Sequence, residues 1–207
     1  MANEKKLFRE TRAYPVIFML IITVIFIGIL ATFYQLSFTK VQKYRETQLK
    51  KMVMSTFELP TQNIENDFTK YIIIREMEDL MYYESRSDSI LLGYCFPISG
   101  SGLWGTIHAL LAVTPDFEKI INLEIVDQNE TPGLGGRITE NWFKDQFKGK
   151  ILINNNIFNS FVLIPENETT KDSEINQITG ATASSKAVVE MIYKDVKKYN
   201  LKLRIDL

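Results

Sequence analysis

Between Arg12 and Lys40 the chain carries no charged residue, and Val16 to Tyr34 is almost wholly apolar. A helix of about 20 such residues is what crosses a bilayer core, and few other folds can bury so long a run. Pro15 fits a first helical turn, where its missing N–H leaves nothing unpaired. Tyr14, Phe33 and Tyr34 fall where aromatic rings favour the membrane–water boundary. A cleaved signal peptide would have an apolar region of about 7–15 residues ending in a small-residue cleavage site. Ile29-Leu30-Ala31-Thr32-Phe33 offers no such site. The run therefore reads as a retained transmembrane helix over residues 16–38, preceded by a short tail at 1–15. Flanking charge sets no direction: Lys5, Lys6, Arg9 and Arg12 before the span are balanced by Lys40, Lys43, Arg45, Lys50 and Lys51 after it.

About 170 residues follow the span, enough for one domain with a core. Of the 24 basic and 25 acidic residues, four and two precede the span, which leaves a slightly acidic remainder. That balance argues against a nucleic-acid surface or a polybasic lipid-binding face. Cys95 is the only cysteine, so no intrachain disulfide is possible. His108 is the only histidine, which excludes a His₂ or His₃ metal site within the chain. It reads as a satisfied structural residue in a strand, and no metal site is expected.

Val41 to Leu59 continues as a helix stopped by Pro60, with Leu49, Met52, Val53, Thr56 and Phe57 as its buried stripe. Thr61 to Lys70 is polar and loop-like. Tyr71 to Tyr83 is ambiguous, since Ile72-Ile73-Ile74 favours a strand and Arg75 to Met81 a helix. Residues 39–88 thus form a membrane-proximal helical segment. From Ser89 the signal turns to β structure, with strands at Ile90–Phe96, Thr106–Val113 and Ile120–Val126. A short helix follows at Asn141–Phe147, then strands near Ile151 and Phe161. Pro165 to Glu174 is a polar loop. After Ser185 the spacing of Val188, Ile192, Val196 and Tyr199 predicts a helix. Strands in a run with helices at either end predict an α+β fold with a mainly antiparallel sheet over 89–207.

Two segments carry chemistry. Asn176-Gln177-Ile178-Thr179-Gly180-Ala181-Thr182-Ala183-Ser184-Ser185 places hydroxyls and a Gly-Ala pair at a helix N-terminus, where free N–H groups suit a phosphate. By itself it reads first as a Ser/Thr helix cap. Glu130-Thr131-Pro132-Gly133-Leu134-Gly135-Gly136 has three glycines that open backbone conformations closed to other residues. By itself it reads first as a Pro-Gly turn. Gly100-Ser101-Gly102-Leu103-Trp104-Gly105 matches G-x-G-x-x-G literally. A dinucleotide fingerprint must open a helix, however, and a strand-like segment follows instead. Trp104 suits core packing and ring contact equally.

Together the TGAT, ETPGLGG and Gly102-Leu103-Trp104 segments resemble the covalently flavinylated subunits of the Rnf and sodium-pumping NADH:quinone oxidoreductase complexes. The resemblance covers roughly Gly93 to Tyr199. It implies FMN joined through a phosphoester to Thr182, with Thr179, Gly180, Ala181 and Ser185 around the attachment point. Leu103, Trp104, Glu130, Thr131, Gly133, Leu134 and Gly135 would line the flavin. The family's leading Asp falls on Asn176. Further implied are a flavin transferase using FAD as donor and partner membrane subunits that move electrons and drive Na⁺ or H⁺ transport. The flavin domain would lie outside the cytoplasmic membrane, with no NAD site of its own. The compact length leans toward the Rnf type, while Gly102-Leu103-Trp104 leans toward the quinone reductase. Two other readings are a flavin-free membrane scaffold and a nicotinamide dehydrogenase using the GSGLWG loop.

Overall fold

The computed structural model describes residues 13–77, 80–154, 157–168 and 171–205. Residues 1–12 of the expected tail lie outside these. The chain divides into two units, Met1–Glu46 and Thr47–Leu207. The first contains most of helix α1 (Tyr14–Thr56). Among the described residues this is the one helix long and apolar enough to cross a membrane. Residues 14–38 extend about 37 Å at 1.5 Å per residue, more than a hydrocarbon core of about 30 Å. Val16, Phe18, Leu20, Phe26, Leu30 and Phe33 stand exposed along it, as lipid-facing residues do. The hydroxyls of Thr23 and Thr32 donate to the carbonyls of Met19 and Gly28 at 2.8 Å. Both are thereby satisfied without water.

In the second unit five strands form an antiparallel meander: β1 (Ile72–Met77), β2 (Leu80–Ser87), β3 (Ile90–Ser101), β4 (Thr106–Val113) and β5 (Ile120–Asp127). Side chains alternate between the sheet's faces, and both faces are covered. On one face Phe96, Ile98, Ile107, Leu111 and Leu123 meet Val188, Ile192, Val196 and Tyr199 of helix α4 (Thr182–Ile205). The Tyr199 ring stacks on Phe96 at 4.1 Å, and its hydroxyl donates to the Pro97 carbonyl at 3.0 Å. On the other face Tyr83, Cys95, Leu110 and Ala112 pack with Val53 and Met54 from the end of α1 and Phe68 of helix α2 (Ile64–Tyr71). Burial on both sides explains why Ala109 to Val113 is an unbroken apolar run.

The sheet corrects two expectations. The domain begins near Thr47, not Ser89, because the end of α1, α2, β1 and β2 all contribute to one core; residues 39–88 are not simply helical. The expected loop at Thr61–Lys70 contains α2, whose start is closed by Asn63. The Asn63 side chain accepts from the Asn66 N–H, and its own N–H donates to the Asp67 carboxylate at 3.0 Å. Phe68 then anchors the helix in the core.

Beyond β5 lie a 3₁₀ turn (Gly135–Thr139), helix α3 (Asn141–Asp145) and the short pair β6 (Ile153–Asn154) and β7 (Ile157–Phe158). Strands β8 (Val162–Ile164) and β9 (Glu174–Asn176) pair in parallel, the one departure from antiparallel pairing among the described strands. That pairing delivers the chain into Gln177–Thr182.

Cys95 is fully buried, and burial pushes its thiol up to about 12. It is enclosed within its own core. His108, expected to be a satisfied structural residue, instead sits on an exposed position of β4. Among the described residues no group of three or more His, Cys, Asp or Glu is placed to hold a metal.

Candidate functional site

Helix α4 begins at Thr182 itself, three residues earlier than its apolar stripe indicates. The turn before it is shaped by Gly180, whose φ of +76° is a left-handed conformation that glycine adopts without strain. Ala181 is buried and its carbonyl accepts from both the N–H and the hydroxyl of Ser185, each at 3.1 Å. The Ser185 hydroxyl also accepts from the Ile178 N–H at 3.0 Å. Ser185, expected beside the cofactor, is fully buried with its hydroxyl committed in both directions, so it braces the 178–181 turn from within. Thr179, Gly180 and Thr182 stay less enclosed, with Gly180 fully at the surface.

The three motif segments meet at one buried carboxylate. Glu130 is only 4% exposed. One oxygen accepts from the Trp104 N–H at 2.9 Å, and the other accepts from the Ser184 hydroxyl. Both oxygens face inward, so Glu130 ties the β3–β4 loop to the first turn of α4 instead of offering its carboxylate to a ligand. Gly135 packs beneath this junction: a Cβ there would lie 2.8 Å from the second Glu130 oxygen. The Thr131 carbonyl accepts from the Leu134 and Gly136 N–H groups at 3.1 and 3.0 Å, closing the turn around Gly133, whose φ is +75°.

Above the junction three apolar side chains point outward: Leu103 (63% exposed), Trp104 (70%) and Leu134 (44%). Trp104 is therefore not a core residue. Leu134 reaches the turn before α4, since a Cβ on Gly180 would lie 3.2 Å from its Cδ2. A cleft of about 530 Å³ opens on another side of Thr182, with Phe161, Leu163, Val189 and Tyr193 along it and Gln177 and Lys186 among its polar residues. The G-x-G-x-x-G run closes the β3–β4 hairpin, where the Gly102 N–H donates to the Gly105 carbonyl at 2.8 Å. That is an antiparallel turn, without the helix a dinucleotide fingerprint requires.

A second carboxylate holds the turn before α4 from the far side. Glu166 accepts from the Thr179 N–H at 2.7 Å and pairs with the Arg137 guanidinium through contacts of 2.9 and 3.3 Å. Arg137, next to the ETPGLGG segment, also contacts Glu140 at 3.3 Å and lies over the Trp142 ring. Asn176 carries the loop that brings Glu166 in: its amide nitrogen donates to the carbonyls of Pro165 and Glu168 at 2.9 and 3.1 Å. An Asp at 176 would have no proton for these carbonyls, which gives the Asn its physical role here. Sequence reasoning missed Ser184, Arg137 and Glu166. Ser184 could have been found from its place two residues after Thr182, on the inward side of the helix; Glu166, in a polar loop, gives no local signal.

The Arg137 guanidinium, followed by the Thr179 N–H and hydroxyl, lowers the Glu166 carboxyl from its ordinary 4.5 to about 2. Because the folded value lies below the unfolded one, this group's contribution to stability is fully present above about pH 4.5 and is lost as pH falls through 2. In a carbon-13 titration the Glu166 carboxyl is expected to stay ionised at pH 3.5. In Arg137→Met its midpoint is expected to rise toward the ordinary value. An unmoved midpoint would show that the guanidinium does not control it.

The residues present fit a phosphate-tethered flavin. A threonine hydroxyl stands at a helix N-terminus, two residues after Gly180, which carries no Cβ. Three neighbouring apolar side chains are left uncovered. The family model for the FMN-binding domain matches residues 102–197, which takes in all three motif segments. The G subunit of the proton-translocating ferredoxin:NAD(+) oxidoreductase complex of Clostridium ljungdahlii is 33% identical over 133 residues, or 64% of this chain and 66% of that protein. The C subunit of the Na(+)-translocating NADH-quinone reductase of Vibrio anguillarum is 30% identical over 118 residues, 56% of this chain and 46% of that protein. The matched region thus spans just under two thirds of the first relative and about half of the second. Among solved structures, the C subunit of the same reductase from Parabacteroides distasonis shares the fold, with a TM-score of 0.64 at 21% identity over 77% of this chain and 93% of that one. Residues 102–197 therefore form an FMN-binding domain, and the chain's cofactor is FMN.

Proposed function

We propose that this protein is a membrane-anchored electron carrier whose FMN is joined by a phosphoester to Thr182. The observation that carries the reading is Thr182 itself. It is the first residue of α4, exposed and next to a Gly180 turn that leaves room for a phosphate. Bound FMN supplies the redox chemistry; the chain fixes its place and surroundings. Thr182 is then an anchor, and the free N–H groups at the helix start favour the phosphate's charge. A flavin-free scaffold does not agree with an FMN-binding domain. A nicotinamide site in the GSGLWG loop does not agree with an antiparallel hairpin. In-gel fluorescence of the membrane-purified chain tests the attachment: the signal should survive denaturation.

The host complex is proposed to be Rnf-type, supported by the match over 66% of the Clostridium ljungdahlii protein against 46% of the Vibrio anguillarum one. Partner subunits would deliver and accept electrons, with FAD-dependent flavin transfer as the maturation step. Residues 16–38 would anchor the chain in the cytoplasmic membrane with the flavin domain outside. Protease added to intact spheroplasts is expected to digest the domain; digestion only after lysis would reverse the topology.

The ring is proposed to rest against Leu103, Trp104 and Leu134, beside Thr131 and Gly133, with Gly135 supporting the junction beneath them. The cleft favours a second reading, because Thr182 lines it together with the aromatic rings of Phe161 and Tyr193. Flavin fluorescence separates the two. Trp104→Ala should brighten the flavin if the indole covers it, with Tyr193→Ala neutral. The reverse result would put the ring in the cleft.

A further inference from the structure

We propose that Arg137 and Glu166 form a clamp that holds the attachment turn in the conformation flavin transfer requires, an inference that rests on Thr182 being the attachment residue. Glu166 is a positioning residue: it touches the turn through the Thr179 N–H, three residues before the acceptor hydroxyl, at 2.7 Å. Arg137 fixes it with a two-point contact, a geometry that sets direction as well as distance. Arg137 is itself fixed by Glu140 and the Trp142 ring. Asn176 completes the device. Its amide holds the Pro165 and Glu168 carbonyls on either side of Glu166, and the Gln177 N–H donates to the Ile164 carbonyl at 2.8 Å. The clamp therefore joins the end of the ETPGLGGR segment, the 165–168 loop and the TGAT turn.

In the transfer reaction the Thr182 oxygen forms a bond to the FMN phosphorus of FAD. The pyrophosphate P–O bond breaks, AMP departs, and the hydroxyl proton passes to the medium. Nothing in the clamp exchanges protons or bonds in this step. It fixes where the hydroxyl stands, and misplacing a reacting atom by an ångström can cost on the order of a hundredfold in rate.

The test uses the full chain with the flavin transferase and FAD, reading covalent attachment over time. Amide hydrogen exchange at Thr179–Ala181 in the unmodified chain gives a second readout that needs no flavin. Glu166→Ala should slow attachment by about tenfold or more and speed exchange at the turn. Glu166→Gln, which keeps an oxygen for the Thr179 N–H, should fall between it and the native chain. The decisive variant is the swap Arg137→Glu with Glu166→Arg. It remakes the ion pair but leaves Thr179 without an acceptor, because a guanidinium cannot accept. The swap should recover thermal stability relative to Glu166→Ala while attachment stays slow. Recovery of both would reduce the pair to a structural brace and overturn the proposal, as would a folded Glu166→Ala that takes flavin and exchanges at native rates. A native chain that takes no flavin would overturn the Thr182 reading and this inference with it. One that is modified normally beside an equally fast Glu166→Ala overturns the clamp alone.

Discussion

Thr182→Ala is expected to remove covalent flavin completely while leaving the domain folded. The side chain is exposed at the helix start, so its loss opens no cavity in the core. The cost to folding should be limited to that of an exposed helix-end hydroxyl, at most about 1 kcal/mol. The denatured chain should show no flavin fluorescence, against a strong signal from the native protein. Thr179→Ala makes the comparison sharper. Its N–H contact to Glu166 survives the substitution, while the hydroxyl that also helps hold Glu166 is lost. Flavin that persists in Thr182→Ala and disappears in Thr179→Ala would move the attachment point.

The second large effect is expected at Glu130. Its buried carboxylate accepts from the Trp104 N–H and the Ser184 hydroxyl. Glu130→Ala removes the acceptor of both donors, the Ser184 hydroxyl in a buried position and the Trp104 N–H in a part-buried one. Hydrogen bonds to a charged group contribute roughly 1.5–3 kcal/mol each, so a loss of about 3 kcal/mol is a fair lower figure. For a domain of this size that lowers Tm by on the order of 10 °C. The β3–β4 loop should detach from α4 at the same time, releasing Trp104. Calorimetry on the membrane-extracted chain measures the first effect and indole fluorescence anisotropy the second. A Tm within a degree or two of native would mean that the junction contributes little. Gly135→Val attacks the same place from below, since its side chain would enter the space held by Glu130 and Ser184. That variant reports on the junction before it reports on the ring.

Much of this fold was legible because its signals are local. Strands β3, β4 and β5 announce themselves through apolar runs bounded by turns. The α4 stripe of Val188, Ile192, Val196 and Tyr199 is buried along its whole length. Helix α2 was missed because its apolar spacing, Ile64, Phe68 and Tyr71, is confined to two turns within a polar stretch, and its start depends on two side-chain bonds from Asn63 and Asp67. Strand β1 was ambiguous because half of it has helical composition. Its pairing with β2 decided the matter, a tertiary effect that propensity does not contain. The same distinction holds at the site. Thr182, Gly180 and Leu134 were readable from motifs, whereas the partners that fix them come from across the chain. Glu130 and Ser184 are 54 residues apart, and Arg137 and Glu166 are 29 apart. Each pair exists only once the sheet, the 3₁₀ turn and α4 are assembled.

The measurement that tests the central claim most directly is intact mass of the membrane-purified native chain, followed by peptide mapping. The account predicts a mass increment of one FMN less one water, carried by the peptide containing Thr182 and absent from Thr182→Ala. An unmodified native chain purified from flavin-replete cells with an active transferase, or an increment mapped to any other residue, would contradict it.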